Sequence, residues 1–98
     1  MLYIAISVAA FAYILRCADG RYYYGSTSDL SQRLAEHHAG RVRSTRWRLP
    51  VELVYFEEHE TLAEARQREH SFKKGRTRRK TIELMIQSFP KHRLVPFA

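Results

Sequence analysis

Residues 11–25, FAYILRC-ADG-RYYYG, hold two β-prone runs on either side of a turn tripeptide. Such a pair closes on itself as an antiparallel hairpin, which limits the folds open to the whole chain. Phe11 to Cys17 supplies an apolar strand and Arg21 to Gly25 a tyrosine-rich one. The loop holds either two residues, Asp19-Gly20, or three, Ala18-Asp19-Gly20. The longer form suits a type I turn followed by a left-handed glycine. The choice matters because a one-residue slip reverses both faces of a strand. With three loop residues Leu15 opposes Tyr23 and Tyr13 opposes Gly25, so Tyr13 and Tyr23 share a face; with two they point apart.

The remainder reads as helices around a third strand. Ser26-Thr27-Ser28 offers N-cap hydroxyls and Asp29 a negative charge in the first turn of a helix that runs to about Ala39, with Gly40 as its stop. Leu30 and Leu34 mark its apolar stripe, with Arg33 and His37 on or beside it, one turn apart. Val51 to Glu57 (VELVYFE) is a strand with apolar residues on both faces, so both are expected to be covered. Thr61-x-x-Glu64 is a capping box opening a second helix, whose inward stripe is Leu62, Ala65, Glu69 and Phe72. Gly75 breaks it, Thr77 caps a last helix, and that helix buries Ile82, Met85, Ile86 and Phe89 before stopping at Pro90. Residues 1–10 form an apolar extension, 11–88 the folded domain and 89–98 a tail.

At 98 residues the chain has room for one core, and its apolar share of 45% is enough to build it. The single cysteine, Cys17, excludes an internal disulfide and any Cys-rich zinc site. Without a Gly-rich phosphate loop or a dinucleotide fingerprint, nucleotide-driven motors are poor candidates too. The apolar run from Leu2 to Leu15 is short for a membrane span and lacks the basic start of a secretory signal, so no membrane partner and a cytoplasmic location are expected. Lys and Arg number 17 against 10 Asp and Glu, a formal charge of +7, which favours a polyanionic partner, nucleic acid by default. The positive charge concentrates in residues 41–48 (RVRSTRWR) and 73–80 (KKGRTRRK).

Polar residues aimed at the body of the protein stand out against this background. Arg33 shares a stripe with leucines, and Glu69 shares one with Ala65 and Phe72. An inward carboxylate needs a cation, either an arginine or a metal, and an Arg33–Glu69 pair fixing the helices is the plainest account. His37 and His38 read, on the same terms, as an exposed pair at a helix end.

The order of these residues suggests more. Ala12-Tyr13-Ile14 and Tyr23-Tyr24-Gly25 stand at hairpin spacing, followed by Arg33, His37 and a lone Glu69. This pattern resembles the GIY-YIG nuclease superfamily, which includes homing endonucleases and the incising subunit of excision repair. The likeness is closest from Tyr23 to Leu34 and extends to about residue 87; Ala12 stands where the first motif has glycine. The resemblance implies an α+β fold with a three-stranded antiparallel sheet in the order 2-1-3, flanked by helices. It also implies the three-residue hairpin loop, since the family geometry needs Tyr13 and Tyr23 on one side.

The activity implied is endonucleolytic hydrolysis of phosphodiesters, most readily in DNA of particular structure, assisted by one divalent cation, Mg²⁺ or Mn²⁺, held by Glu69. Tyr13, Tyr23, Arg33 and His37 are the catalytic candidates. In this reading Tyr23 takes the proton from the attacking water, directly or through the other tyrosine, Arg33 meets the charge developing on phosphorus, and His37 relays the proton or orients Tyr23. The basic segments become phosphate contacts: Arg41, Arg43, Arg46 and Arg48 with Trp47, then Lys73, Lys74, Arg76, Arg78, Arg79 and Lys80. Trp47 either stacks on a base or sugar or anchors the loop in the core. No small-molecule cofactor is implied. The alternatives are a non-catalytic nucleic-acid-binding module on the same fold, or one that needs a protein partner for specificity.

Overall fold

In the computed structural model, residues 8–74 and 78–97 are described. The expectations for residues 1–7 and for Gly75, Arg76 and Thr77 lie outside them. The elements are β1 (Ala10–Cys17), β2 (Tyr22–Thr27), α1 (Leu30–His38), β3 (Val51–His59), α2 (Leu62–Phe72), α3 (Arg78–Ser88) and a 3₁₀ segment, Lys91–Phe97. The three strands form one antiparallel sheet in the order β2-β1-β3, as expected for an apolar first strand placed centrally.

The hairpin takes its three-residue loop. Leu15 pairs with Tyr23 and Tyr13 with Gly25. The loop closes with Gly20 N–H donating to the Cys17 carbonyl at 2.9 Å, and Gly20 takes a φ of +80°, a conformation that costs other residues dearly. Arg48 grips the turn through Asp19 Oδ2 at 3.0 Å.

Each face of the sheet carries its own core. On one side Tyr13, Leu15 and Cys17 pack with Leu30 and Leu34 of α1 and with Val51, Leu53 and Phe56. On the other, Ala12, Ile14 and Val54 pack with Phe72 of α2 and Ile82 of α3. The continuous apolar reading of β3 thus matches a strand covered on both faces. A bulge lets it serve both: Ile14 pairs with Tyr55 but Leu15 with Leu53, leaving Val54 as the extra residue. The strand also runs two residues further than Glu57.

Three local expectations need correction. β2 extends through Thr27, so Ser26 and Thr27 are strand residues and cannot cap. Asp29 is itself the N-cap, with extended backbone and a carboxylate that accepts from Gln32 N–H at 3.0 Å. Thr61 does cap α2 as read, accepting from Glu64 N–H at 3.1 Å. Residues 91–97, read as tail, are ordered against the body: Leu94 and Phe97 pack on the α1-side core. Among the described residues no helix is long and apolar enough to cross a membrane.

Candidate active site

Tyr13 stands on the central strand with its side chain toward α1, and its pair across the ladder is Gly25. The ring lies over that glycine: a Cβ there would sit 2.4 Å from both Tyr13 Cζ and its hydroxyl oxygen. Only glycine permits this approach, which gives the last residue of the Tyr-Tyr-Gly motif a steric reason. Tyr23, two residues back on the same face, places its ring 6.3 Å from that of Tyr13. His37 comes down from α1 and meets both phenol rings edge-on, at centroid distances of 5.8 Å to Tyr13 and 5.0 Å to Tyr23.

Hydrogen bonds lock this cluster. His37 Nε2 shares one with the Tyr13 hydroxyl at 2.9 Å, and His37 Nδ1 shares one with Thr45 Oγ1 at 2.8 Å. Tyr13, His37 and Thr45 are each fully buried. The expectation of an exposed histidine pair is therefore wrong for His37 and right for His38, because the helix turns only one of two neighbours toward the sheet. Burial, reinforced by the charge of Arg33, pushes His37 down to about 4, so the imidazole is neutral at pH 7. Burial also raises Tyr13 well above the ordinary phenol range, with the neighbouring Tyr23 adding to it. Tyr13 thus holds its proton, whereas Tyr23 is only half-buried.

Arg33 lies beside both phenols but donates to Glu36 Oε1, at 3.3 Å. It does not pair with Glu69, which overturns the plain structural account. Glu69 accepts instead from Ser26 Oγ at 2.7 Å and Lys73 Nζ at 2.9 Å. By register Ser26 faces α2, opposite to Tyr13, so Glu69 reaches the β2 edge from the other side of the sheet. It meets the strand next to Gly25, near enough to Tyr13 to contribute to that phenol's raised pKa. The site therefore straddles the edge of β2, phenols and imidazole on one side and carboxylate on the other. Beside it opens a cavity of about 310 Å³ lined by Ser26, Thr27, Gln32, Arg33, Glu36 and Arg66, among others.

Sequence reasoning missed Thr45, Ser26's bond to Glu69 and Arg66. Thr45 had one available signal, a threonine among arginines in a loop otherwise fit for solvent. The basic candidates separate by surroundings. Arg41, Arg43, Arg46, Lys74 and Lys80 are exposed. Arg48 is committed to Asp19 and Lys73 to Glu69. Arg78 donates to the Ser71 carbonyl at 2.9 and 3.1 Å, and Arg79 pairs with Glu83 at 3.0 Å. Trp47 is 84% exposed, which excludes the core-anchor reading, and the Arg46 guanidinium lies 5.3 Å from its ring centre.

A phenol pair, an imidazole and a guanidinium thus share the α1 side of the sheet, while the carboxylate of Glu69 reaches the edge of β2 from the α2 side, not from one common concave surface as the motifs suggested. Residues 9–83 match the model of the GIY-YIG catalytic domain. The chain belongs to the GIY-YIG family. Its relatives include the UPF0213 protein of Listeria innocua, 48% identical over 65 residues, covering 65% of this chain and 72% of that one. A UPF0213 protein of Streptococcus pyogenes is 47% identical over 70 residues, 70% of this chain and 76% of the relative. The solution NMR structure of a UPF0213 protein from Bacillus halodurans superposes with a TM-score of 0.51 at 31% identity, over 84% of this chain and 88% of its own. GIY-YIG domains are a nuclease family that acts on nucleic acid and generally uses a divalent metal.

Among the described residues no group of three or more His, Cys, Asp and Glu side chains gathers as a metal cage. Glu69 alone nonetheless fits a magnesium-like ion. Such ions keep several waters and take one or two carboxylates plus substrate phosphate oxygens. The Glu69 side chain is one-quarter exposed, and the lysine on its Oε2 is half-exposed.

Proposed function

We propose that the protein is a metal-dependent endonuclease that hydrolyses phosphodiester bonds, with DNA of particular structure as its substrate. The observation that carries this reading is the edge of β2, where two phenols, a neutral imidazole and a carboxylate meet across Gly25. A module that only bound nucleic acid would have no use for the buried part of that set.

Tyr23 is the base in this reading, because it is half-buried where Tyr13 is fully buried and so is the more accessible phenol to an attacking water. Tyr13 remains protonated behind it and holds the imidazole in place. Arg33 faces the phenols from the wall of the 310 Å³ cavity, placed to meet negative charge developing on phosphorus. Glu69 would hold the divalent cation, which when bound supplies Lewis-acid stabilisation of the leaving oxygen. Arg41, Arg43 and Arg46 with the exposed Trp47, and Lys74 and Lys80, would contact phosphates and an unstacked base.

One observation favours a second reading, a non-catalytic binding module. Lys73 already gives Glu69 a cation, at 2.9 Å. The two readings separate on a panel of labelled flaps, junctions, single strands and duplexes incubated with Mg²⁺ or Mn²⁺ and, in parallel, with EDTA. Cleavage in metal by the wild type, lost in Glu69→Gln and reduced about 10²–10⁴-fold in Tyr23→Phe with melting temperatures unchanged, supports the nuclease. Binding without cleavage on every substrate, or normal cleavage by both variants, overturns it.

A further inference from the structure

The loop after α1 has two kinds of residue. Arg41, Arg43, Arg46 and Trp47 face solvent, while Val42 and Thr45 are buried. Thr45 and His37 are the two buried polar or charged residues among those described, and they bond to each other. The backbone around Thr45 is a tight turn, with Thr45 and Arg46 N–H both donating to the Val42 carbonyl at 3.1 and 2.9 Å, and Arg48 N–H to the Thr45 carbonyl at 2.8 Å. The end of that turn is fastened to the hairpin, since the Arg48 carbonyl accepts from Ala18 N–H at 3.0 Å and its side chain holds Asp19. Thr45 therefore has little freedom to move.

A neutral imidazole has one N–H and one lone pair. Whichever role the Thr45 hydroxyl takes at Nδ1, Nε2 is left with the opposite one toward Tyr13. We propose that Thr45 is a positioning residue. Its hydroxyl holds the ring orientation of His37 and couples the His37 tautomer to the role of the Tyr13 hydroxyl, and it ties the seat of the basic loop to the phenol pair. The proposal rests on the nuclease reading only for its catalytic consequence; the tautomer claim stands apart from it. Polar partners of this kind commonly orient a working imidazole and are costly to remove.

The test uses Thr45→Val, which keeps shape without the hydroxyl, and Thr45→Ser, which keeps the hydroxyl. Ring-nitrogen NMR of histidine-labelled protein reports the His37 tautomer directly, with no metal or substrate present. The expected result is a tautomer ratio in Thr45→Ser like that of the wild type, and a changed ratio in Thr45→Val. In cleavage assays Thr45→Val should lower kcat about 10–100-fold with KM little changed, and Thr45→Ser should restore most of it. Should Thr45→Val not fold, Thr45→Ala, read in the same way, takes its place. A folded variant without the hydroxyl that keeps the wild-type tautomer ratio overturns the proposal. If the wild type fails to cleave any substrate, the nuclease reading falls while the NMR result still decides the role of Thr45.

Discussion

At the scale of single residues, His37 carries the clearest pH signature. Its folded pKa, about 4, lies below the ordinary histidine value of ~6.5. Between those values the unfolded chain binds the proton and the folded protein does not, so stability rises with pH through this window. The full contribution is present above pH 6.5 and is lost as pH falls toward 4, amounting to roughly 3 kcal/mol. Chemical denaturation from pH 7.5 to 4.5 should show that slope, and His37→Gln should flatten it. Gly25→Ala is expected to lower stability by about 1–3 kcal/mol, because the new methyl must displace a fully buried tyrosine that is bonded to His37. A melting curve unchanged from wild type would contradict that crowding. Sharing of a face by Tyr13 and Tyr23 was legible only through the family resemblance, since strand periodicity alone left a two-residue or a three-residue loop open. The Thr45–His37 bond was not, because it depends on how a loop without periodicity folds back over a helix end.

At the scale of elements, local signals succeeded where one residue has one job. The Ala-Asp-Gly turn, the Thr61 cap and the stop at Gly40 all sit where the sequence places them. They failed at the β2–α1 junction, where four consecutive residues can all cap a helix. Pairing with Phe11 and Ala12 kept Thr27 and Ser26 in the sheet, and the cap fell to Asp29. Asp29→Ala should therefore cost about 1 kcal/mol, while Ser28→Ala should cost much less; comparative thermal melts decide between them. The bulge at Val54 was equally hidden. A run of apolar residues shows that both faces of β3 are covered but not where the strand shifts register from one core to the other.

Over the whole molecule the charge of +7 divides between internal ion pairs and open surface. With Arg41, Arg43, Arg46, Lys74 and Lys80 exposed, on the order of five phosphate contacts are expected on duplex DNA. Log affinity against log salt should then fall with a slope of about −4 to −5, and a nearly flat titration would return these residues to a merely solvated surface. The fold itself was readable because its parts are short and consecutive. The straddling of the sheet by the site was not, since Glu69 and Tyr13 lie on stripes that look alike in one dimension and face opposite sides in three. The last residues give the molecule another property. After α3, whose Ile82 belongs to the α2-side core, Phe89, Leu94 and Phe97 pack on the α1 side, so the chain passes from one face to the other beside β3. Arg93 fastens this passage, stacking on Phe56 and Phe89 and pairing with Glu58 at 3.1 Å. An outer strand offers its unpaired amides to any neighbouring chain, and a wrap fastened beside β3 is an obstacle to such pairing on that side of the sheet.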